Sequence, residues 1–535
     1  MSSGRGAGRH RIRRERQRLE QLKRLWSRRQ AAIILALLVL GGALIRLVKL
    51  SHESLNFDEL ASVWTSKLAL GHIVTEAIAQ GHPPAYNLAQ HFLPMPAGDE
   101  TMARLLPAFL GILTLPLVYL AGKELRSRSA GLWAAAFAAV CPLMIWYSRD
   151  ATSYSWLTLF TLLSFYFLIR ASRRGGWSNW AMYVIATLLV IFTYFLAFIV
   201  VIAGLTVFWI VRAPGKERVR EWAISHAFLG LTLAIFFLLT ASATSGRSGL
   251  AIPSKKLFLE DLVNWPLVFV RGYATQSIGG GVMAIGVPAA AVIAACAAAA
   301  ALISLLAFRP VRERFLKRDV VAAGVYTLFL VAVPVMVQLA SPQALFASRY
   351  YAWAAPLSAL FIALLLTGLP ARLAWLAGVP LLLVMSYYAQ MEVRVRRNEN
   401  WRDIAAIIAA RGQPDDEIMC FPEEHCVVAF AYYSPKALPI AGGSVADGKV
   451  SMIPGTWNGC KDAKYVVTEN SELTDAIMND VGGARRIWQV TGDGAVGNYP
   501  PSPQVDAILH NHWRQSGNWD LPPLDLRLFD SVSHT

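Results

Sequence analysis

Two adjacent carboxylates, Asp58 and Glu59 in the run Asn56-Phe57-Asp58-Glu59, follow directly on an apolar stretch from Ala31 to Leu50. That stretch is long enough to cross a hydrocarbon core of about 30 Å, so the pair lies at the membrane–water boundary, at the depth of a lipid phosphate. A carboxylate held there can take the proton from a hydroxyl presented beside a lipid headgroup. The competing reading is that Asp-Glu merely opens the next helix, where acidic residues favour the first turn. His82-Pro83-Pro84-Ala85-Tyr86 follows about 25 residues later. His82 is either a turn residue before the rigid proline pair or a participant in the chemistry. Arg104 opens the second apolar span, Arg149-Asp150 with Tyr154 behind it fills a later turn, and Arg349-Tyr350-Tyr351 enters another span. Guanidinium groups at headgroup level suit an anionic, phosphate-bearing ligand; the alternative for each is snorkelling to lipid phosphate.

The elements that must position these residues are membrane spans. The chain has 535 residues, 55% hydrophobic and only 16% charged, which excludes an ordinary soluble globule. The formal charge of +15 could suit nucleic acid, but its placement does not: Arg5 through Arg29 form a basic tail ahead of the first span, and further basic clusters occupy short loops. That is the positive-inside pattern, with residues 1–30 a cytoplasmic tail against anionic lipid. No nucleic-acid partner is expected. The first span is too long for a signal-peptide core and no small-residue cleavage site follows it, so cleavage is not expected.

Apolar runs predict eleven spans: Ala31–Leu50, Ala103–Gly122, Ser129–Tyr147, Tyr154–Arg170, Trp180–Thr193, Phe195–Val211, Trp222–Ala241, Val282–Phe308, Val320–Ala340, Tyr351–Gly368 and Leu373–Tyr388. The fifth and sixth would be too long as one helix, so a break near Thr193-Tyr194 is expected. With the N-terminus inside, the clusters at Lys123–Arg128, Arg170–Arg174, Arg212–Arg220 and Arg309–Arg318 all fall in cytoplasmic loops. Arg394, Arg396 and Arg397 are an exception on the outer side. The loop 51–102 and residues 391–535 are then external. The latter reads as a small α/β domain: Trp401–Arg411 helical, Glu417–Phe421 extended, Glu424–Tyr433 helical, Lys464–Thr468 extended, Leu473–Asp480 helical, and a Pro-, Asp- and Asn-rich end expected to be loop. Cys141 and Cys296 fall in spans, whereas Cys420, Cys426 and Cys460 are external and allow one disulfide.

Asn56-Phe57-Asp58-Glu59, His82-Pro83-Pro84-Ala85-Tyr86, Ala103-Arg104-Leu105-Leu106-Pro107-Ala108, Tyr147-Ser148-Arg149-Asp150-Ala151-Thr152-Ser153-Tyr154 and Ser348-Arg349-Tyr350-Tyr351 resemble, in order and spacing, the motifs of polytopic C-type (GT-C) glycosyltransferases. The chain is most similar to the bacterial branch related to protein O-mannosyltransferases and lipid A aminoarabinose transferases, and Asn400-Trp401-Arg402-Asp403 also resembles bacterial members. The likeness covers residues from about 31 to 435. It implies a GT-C membrane domain over 31–390, a polyprenyl-phosphate sugar as donor, transfer on the external face, and Asp58 as catalytic carboxylate with Glu59 as helper. His82, Arg104, Arg149, Asp150, Tyr154, Arg349 and Tyr350 would bind the donor. A phosphate leaving group needs its charge neutralised rather than a proton, whereas the attacking hydroxyl needs a base. One carboxylate opposite the leaving group gives inversion. Where aminoarabinose transferases carry an acidic residue before the Lys-Pro of the turn, this chain has Gly81 before His82-Pro83, so no metal and no cofactor are expected.

The expected partners are the lipid-linked donor, membrane lipids, and a lipid, glycan or protein acceptor; the expected location is the bacterial inner membrane. A transporter would place ionisable groups near the bilayer midplane and repeat its halves, whereas these charges sit at span ends. An oligosaccharide ligase of the same fold, and an assembly subunit with an external sensor domain, remain open from the sequence.

Overall fold

The structure, a computed structural model, describes residues 28–79, 83–212, 215–244, 269–270, 317–340, 352–394, 399–413, 416–420, 423–433, 439–440, 443–446, 449–451, 484–492, 503–521 and 524–532. The expected span Val282–Phe308, the extended Lys464–Thr468 and the helical Leu473–Asp480 lie outside these residues, as do His82, Arg349, Tyr350, Cys296 and Cys460.

The membrane part is helical because its apolar sequence leaves backbone groups no partner in lipid except each other. Helix α1 spans Arg28–Leu47. The segment after α1 folds as three short helices, α2 (Phe57–Lys67), α3 (Leu70–Ala79) and α4 (Ala85–His91). Then come α5 (Glu100–Leu125), α6 (Arg128–Val140), α7 (Pro142–Ser148), α8 (Tyr154–Arg174), α9 (Trp177–Ile191), α10 (Phe198–Val211) and α11 (Lys216–Thr244). Later helices are α12 (Arg318–Ala340), α13 (Ala355–Leu366) and α14 (Ala371–Arg394). Five described helices, α1, α5, α8, α11 and α14, are long and apolar enough to cross a membrane, or six if the bent pair α6–α7 counts as one. The chain is thus a multi-pass membrane protein.

Two breaks have local causes. Between α9 and α10 the Thr193 and Tyr194 N–H groups both turn back to the Val190 carbonyl, and a 3-10 turn at Phe195–Ala197 restarts the chain. This is where the sequence predicts it. The span expected as one piece over Ser129–Tyr147 is instead bent by 61° at Cys141. Cys141 is extended (φ −66°, ψ 114°), the conformation that a following proline imposes, and Pro142 has no N–H to offer the Ala138 carbonyl.

The carbonyls released by this bend are taken by a buried arginine. Arg46, fully buried on α1, donates from Nη2 to the Ala138 carbonyl at 3.1 Å and from Nη1 to Ala139 at 3.1 Å. Its Nη1 also reaches the Gly42 carbonyl at 3.0 Å, and Nε donates to Ser148 Oγ at 3.1 Å. The approach needs small neighbours: a Cβ on Gly111 would come within 2.7 Å of Ser148 Cβ and 3.3 Å of Arg46 Nε.

After Trp401 strands appear. Helices α15 (Trp401–Arg411), α16 (Glu423–Tyr433) and α17 (Pro503–His512) accompany strands β1 (Asp416–Cys420), β2 (Pro439–Ile440), β3 (Gly443–Ala446), β4 (Lys449–Ser451), β5 (Arg486–Gly492), β6 (Trp513–Leu521) and β7 (Leu524–Ser531). They form one mixed sheet in the order β4-β3-β2-β1-β5-β7-β6, with β1 parallel to both β2 and β5. The C-terminal stretch expected as loop is therefore a helix and a β6–β7 hairpin. Its Pro and Asp content masked a period-2 pattern, in which Leu524, Leu526 and Leu528 turn to the core between polar residues. That core also takes in Leu55, Leu60, Val63, Ala103 and Ala151 from the membrane part, beside Trp401, Ile404, Phe430 and Trp488.

Replacing Arg46 with Met keeps the volume and removes every donor from the bend. Each buried carbonyl left without a partner costs about 1–3 kcal/mol, so the detergent-solubilised variant should melt several degrees below the parent. An unchanged midpoint would show that the bend does not depend on this side chain.

Candidate active site at the membrane–water boundary

The run Asn56-Phe57-Asp58-Glu59 forms a helix start by reciprocal capping. Asn56 Oδ1 accepts the Glu59 N–H at 2.9 Å and Glu59 Oε2 accepts the Asn56 N–H at 3.0 Å, the arrangement that an Asn at the cap and a Glu three residues on specify. Successive helical residues point about 100° apart, so the two carboxylates part company: Asp58 is exposed, whereas Glu59 is fully buried.

Glu59 is held from every side. Its Oε1 accepts Arg104 Nε at 2.6 Å and the Ala151 N–H at 2.8 Å; its Oε2 accepts Arg104 Nη2 at 2.7 Å besides the cap. A guanidinium has five N–H donors, and Arg104 commits them all. Nη1 donates to the Leu50 and Glu53 carbonyls at 2.8 Å each, and the second Nη2 hydrogen goes to the Ser54 carbonyl at 3.0 Å. Arg104 thus has no donor to spare for a ligand phosphate, the role expected of it from sequence. Glu59, expected as a catalytic helper, has the contacts of a clamp that joins α2, α5 and the turn after α7.

That turn carries the other charged candidates. Arg149 folds over the C-terminal end of α1, donating from Nη1 to the Ile45, Arg46 and Val48 carbonyls at 3.2, 3.2 and 2.7 Å and from Nη2 to Lys49 at 2.9 Å. These carbonyls lack helical partners and carry the negative end of the helix dipole. Burial, then the Arg104 charge, draws the Arg149 pKa down from its usual value. Asp150, largely buried, accepts Asn56 Nδ2 at 3.2 Å and Thr152 Oγ1 at 2.6 Å. Burial first, then the negative charges of Glu59 and Asp58, raise its pKa to about 8, so it holds its proton at neutral pH. Tyr154 opens α8 with its ring 4.6 Å from that of Tyr147. Tyr86 is buried and its hydroxyl has no hydrogen-bond partner among the described residues.

Arg149, Asp150, Arg104, Trp146, His52, Glu53 and Glu392 line a small open cleft at this end of the bundle. Asp58, which raises the Asp150 pKa through its charge, lies within electrostatic reach of the cleft wall. Among the described residues, no group of three or more His, Cys, Asp or Glu could hold a metal ion.

Sequence reasoning missed Glu399, Arg402 and Tyr433 as site residues. Glu399 Oε2 accepts the Phe57 N–H at 2.8 Å and the Trp401 indole N–H at 3.2 Å. Arg402 donates to the Ser51 and His52 carbonyls and pairs with Glu100 at 3.0 Å. The Tyr433 hydroxyl accepts the Leu55 N–H at 2.6 Å. The one local hint was Asn400-Trp401-Arg402-Asp403; nothing near Glu399 in the sequence points to its partner 342 residues earlier.

Residues 81–242 match the family of dolichyl-phosphate-mannose-protein mannosyltransferases. Among solved structures, the chain is similar to ArnT from Cupriavidus metallidurans in the apo state, with 12% identity, 93% of this chain and 98% of that chain covered, and a TM-score of 0.56. ArnT bound to undecaprenyl phosphate matches at 11% identity over 92% and 97% of the two chains, with a TM-score of 0.52. The Archaeoglobus fulgidus oligosaccharyltransferase tethered with an acceptor peptide matches at 11% identity over 95% and 74%, with a TM-score of 0.50. At such identities the structural likeness speaks for a shared fold. No curated protein matches the chain in sequence.

Two outcomes follow from the geometry. Glu59→Gln breaks a buried pair, which costs about 3–5 kcal/mol, so it should lower the melting point and the yield of folded protein; Asp58→Asn, on an exposed carboxylate, should leave both near the parent. Equal melting of the two variants would refute the clamp. Asp150 binds its proton more tightly folded than unfolded, so its contribution to stability is full below its unfolded pKa near 4 and is lost as pH rises to about 8. Asp150→Asn should flatten that part of the stability–pH curve, and an unaltered slope would contradict the assignment.

Proposed function

We propose that this chain, a multi-pass membrane protein related to the GT-C glycosyltransferases, transfers a sugar from a polyprenyl-phosphate donor to an acceptor hydroxyl on the outer face of the bacterial inner membrane. The observation that carries the reading is the separation of roles at Asn56–Glu59. Asp58 is left exposed at the first turn of α2, while its neighbours Glu59 and Asp150 are buried and hydrogen-bonded beside an arginine-lined cleft. The match of residues 81–242 to enzymes named for a lipid-phosphate sugar donor supports the donor class.

In this mechanism the acceptor oxygen attacks the anomeric carbon from the side opposite the phosphate. Asp58 takes the acceptor proton as the new C–O bond forms. The bond from the anomeric carbon to the phosphate oxygen breaks, and its electron pair leaves with the lipid phosphate. Inversion follows from the single displacement. Arg149 is anchored by only part of its guanidinium and lines the cleft; with Arg349 from the later span it meets the phosphate charge, which grows as the bond breaks. Asp150, neutral at pH 7, can donate a hydrogen bond to an anionic donor where an ionised carboxylate would repel it. His82, Tyr154 and Tyr350 complete the donor contacts. Gly81 takes the place of the acidic residue that the aminoarabinose-transferase turn carries, so no step is assigned to a metal.

The orientation belongs to the same proposal: eleven spans, residues 1–30 cytoplasmic, and residues 391–535 a periplasmic α/β domain. The basic clusters that alternate along the sequence support it.

The test is transfer from polyprenyl-phosphate sugars in proteoliposomes, with donors chosen from the sugar lost in envelope glycans of a deletion strain. Loss of a whole glycan in that strain, rather than one sugar, would indicate a ligase. A positioned base contributes about 10² to 10⁴ in rate, so Asp58→Asn should lose that much while remaining folded. Arg149→Ala should raise the donor KM, with Lys restoring it only in part. Near-parental turnover by folded Asp58→Asn would overturn the mechanism.

A further inference from the structure

The strap from Ser51 to Phe57, which delivers Asp58, is fastened along its length by residues that lie beyond the last membrane helix. Arg402 donates from Nη1 to the Ser51 carbonyl at 3.1 Å and from Nη2 to the His52 carbonyl at 3.2 Å. Ser54 Oγ donates to the Glu399 carbonyl. The Leu55 N–H goes to the Tyr433 hydroxyl at 2.6 Å, and the Phe57 N–H to Glu399 Oε2 at 2.8 Å. Phe57 is the first residue of α2, and its N–H has no partner within the helix. Glu399 therefore supplies a carboxyl cap to the helical turn that carries Asp58, one residue away.

We infer that Glu399 is a positioning residue for Asp58, and that residues 399–433 are a working part of the site rather than an appended domain. This rests on the proposed role of Asp58. Two further observations support it. The hydrophobic core beneath the sheet is continuous with Leu55, Leu60 and Val63 of the strap and α2, so the two parts cannot separate without opening apolar surface. Glu399 is also electrostatically joined to Asp58: after its own burial and its bond to Phe57, the Asp58 charge is the next influence on its carboxyl. The other charged groups of the cluster are Glu59, Asp150, Arg104 and Arg149, with the Tyr86 and Tyr433 hydroxyls beside them.

Glu399 fixes the geometry of the turn through an oxygen held against the Phe57 N–H. Glu399→Ala removes that acceptor, whereas Glu399→Gln keeps an oxygen in its place.

The experiment is donor-saturation kinetics in proteoliposomes, for the parent, Glu399→Ala, Glu399→Asp, Glu399→Gln and Asp58→Asn, each normalised to folded protein. A misplaced catalytic group loses up to about a hundredfold in rate, so Glu399→Ala should lower kcat by about ten- to a hundredfold with the donor KM nearly unchanged. Glu399→Gln, which keeps the acceptor, should retain most of kcat. Should Glu399→Ala fail to fold, Glu399→Asp, which withdraws the acceptor by one methylene, decides in its place by the same fall in kcat at unchanged KM. Parental kcat in folded Glu399→Ala or Glu399→Asp, or a loss in Glu399→Gln as large as theirs, would overturn the inference. An inactive Asp58→Asn beside normal Glu399 variants would sink this inference alone; an active Asp58→Asn would sink the proposed function beneath it.

Discussion

The ion pair between Glu59 and Arg104 is the constraint on which the rest of the site depends. Both side chains are almost wholly buried, and the two-pronged contact at 2.6 and 2.7 Å is the strongest geometry available to them. A buried pair of this kind need not add net stability, since desolvation can offset its attraction. What it does is fix positions. The carboxylate gathers the start of α2 and the Ala151 amide, and the guanidinium gathers the carbonyls of Leu50, Glu53 and Ser54. Three chain segments far apart in sequence meet on two side chains. Every donor of the arginine is used, so the arrangement has a single solution.

The other candidate groups are then set by what this pair leaves over. Asp58, next in sequence to Glu59, points out because the helix turns by about 100° per residue. Burial and the two nearby carboxylates keep the proton on Asp150 at neutral pH, while Arg149 rests on the end of α1 and lines the cleft.

From the sequence the charged candidates could be named, but not how they divide the contacts among them. Asp58 and Glu59 have the same chemistry, and only the Asn at position 56, three residues before Glu59, signals which of them turns inward. Arg104 and Arg149 both read as phosphate ligands, because an arginine at a span end says nothing about how many carbonyls fold back onto it. Glu399 was illegible for a different reason: its partner is hundreds of residues away, and no periodicity records such a contact. The break after Ile191 was legible from length alone. The bend at Cys141 could have been read from Pro142, but the apolar run on either side hid it. In the C-terminal hairpin, composition argued for loop while the alternation of leucines with Asp525 and Arg527 argued for strand, and the alternation was right.

Arg46 has a consequence for how such a chain comes to be made. Its two carbonyl partners on α6 are synthesised 92 and 93 residues after it. Until they arrive, the Arg46 guanidinium, one residue from the end of α1, has only the Gly42 carbonyl of its own helix among its partners. The first helix is therefore not a finished anchor when it enters the bilayer. Its coordination is completed only when the bent α6–α7 segment has been made and packed against it.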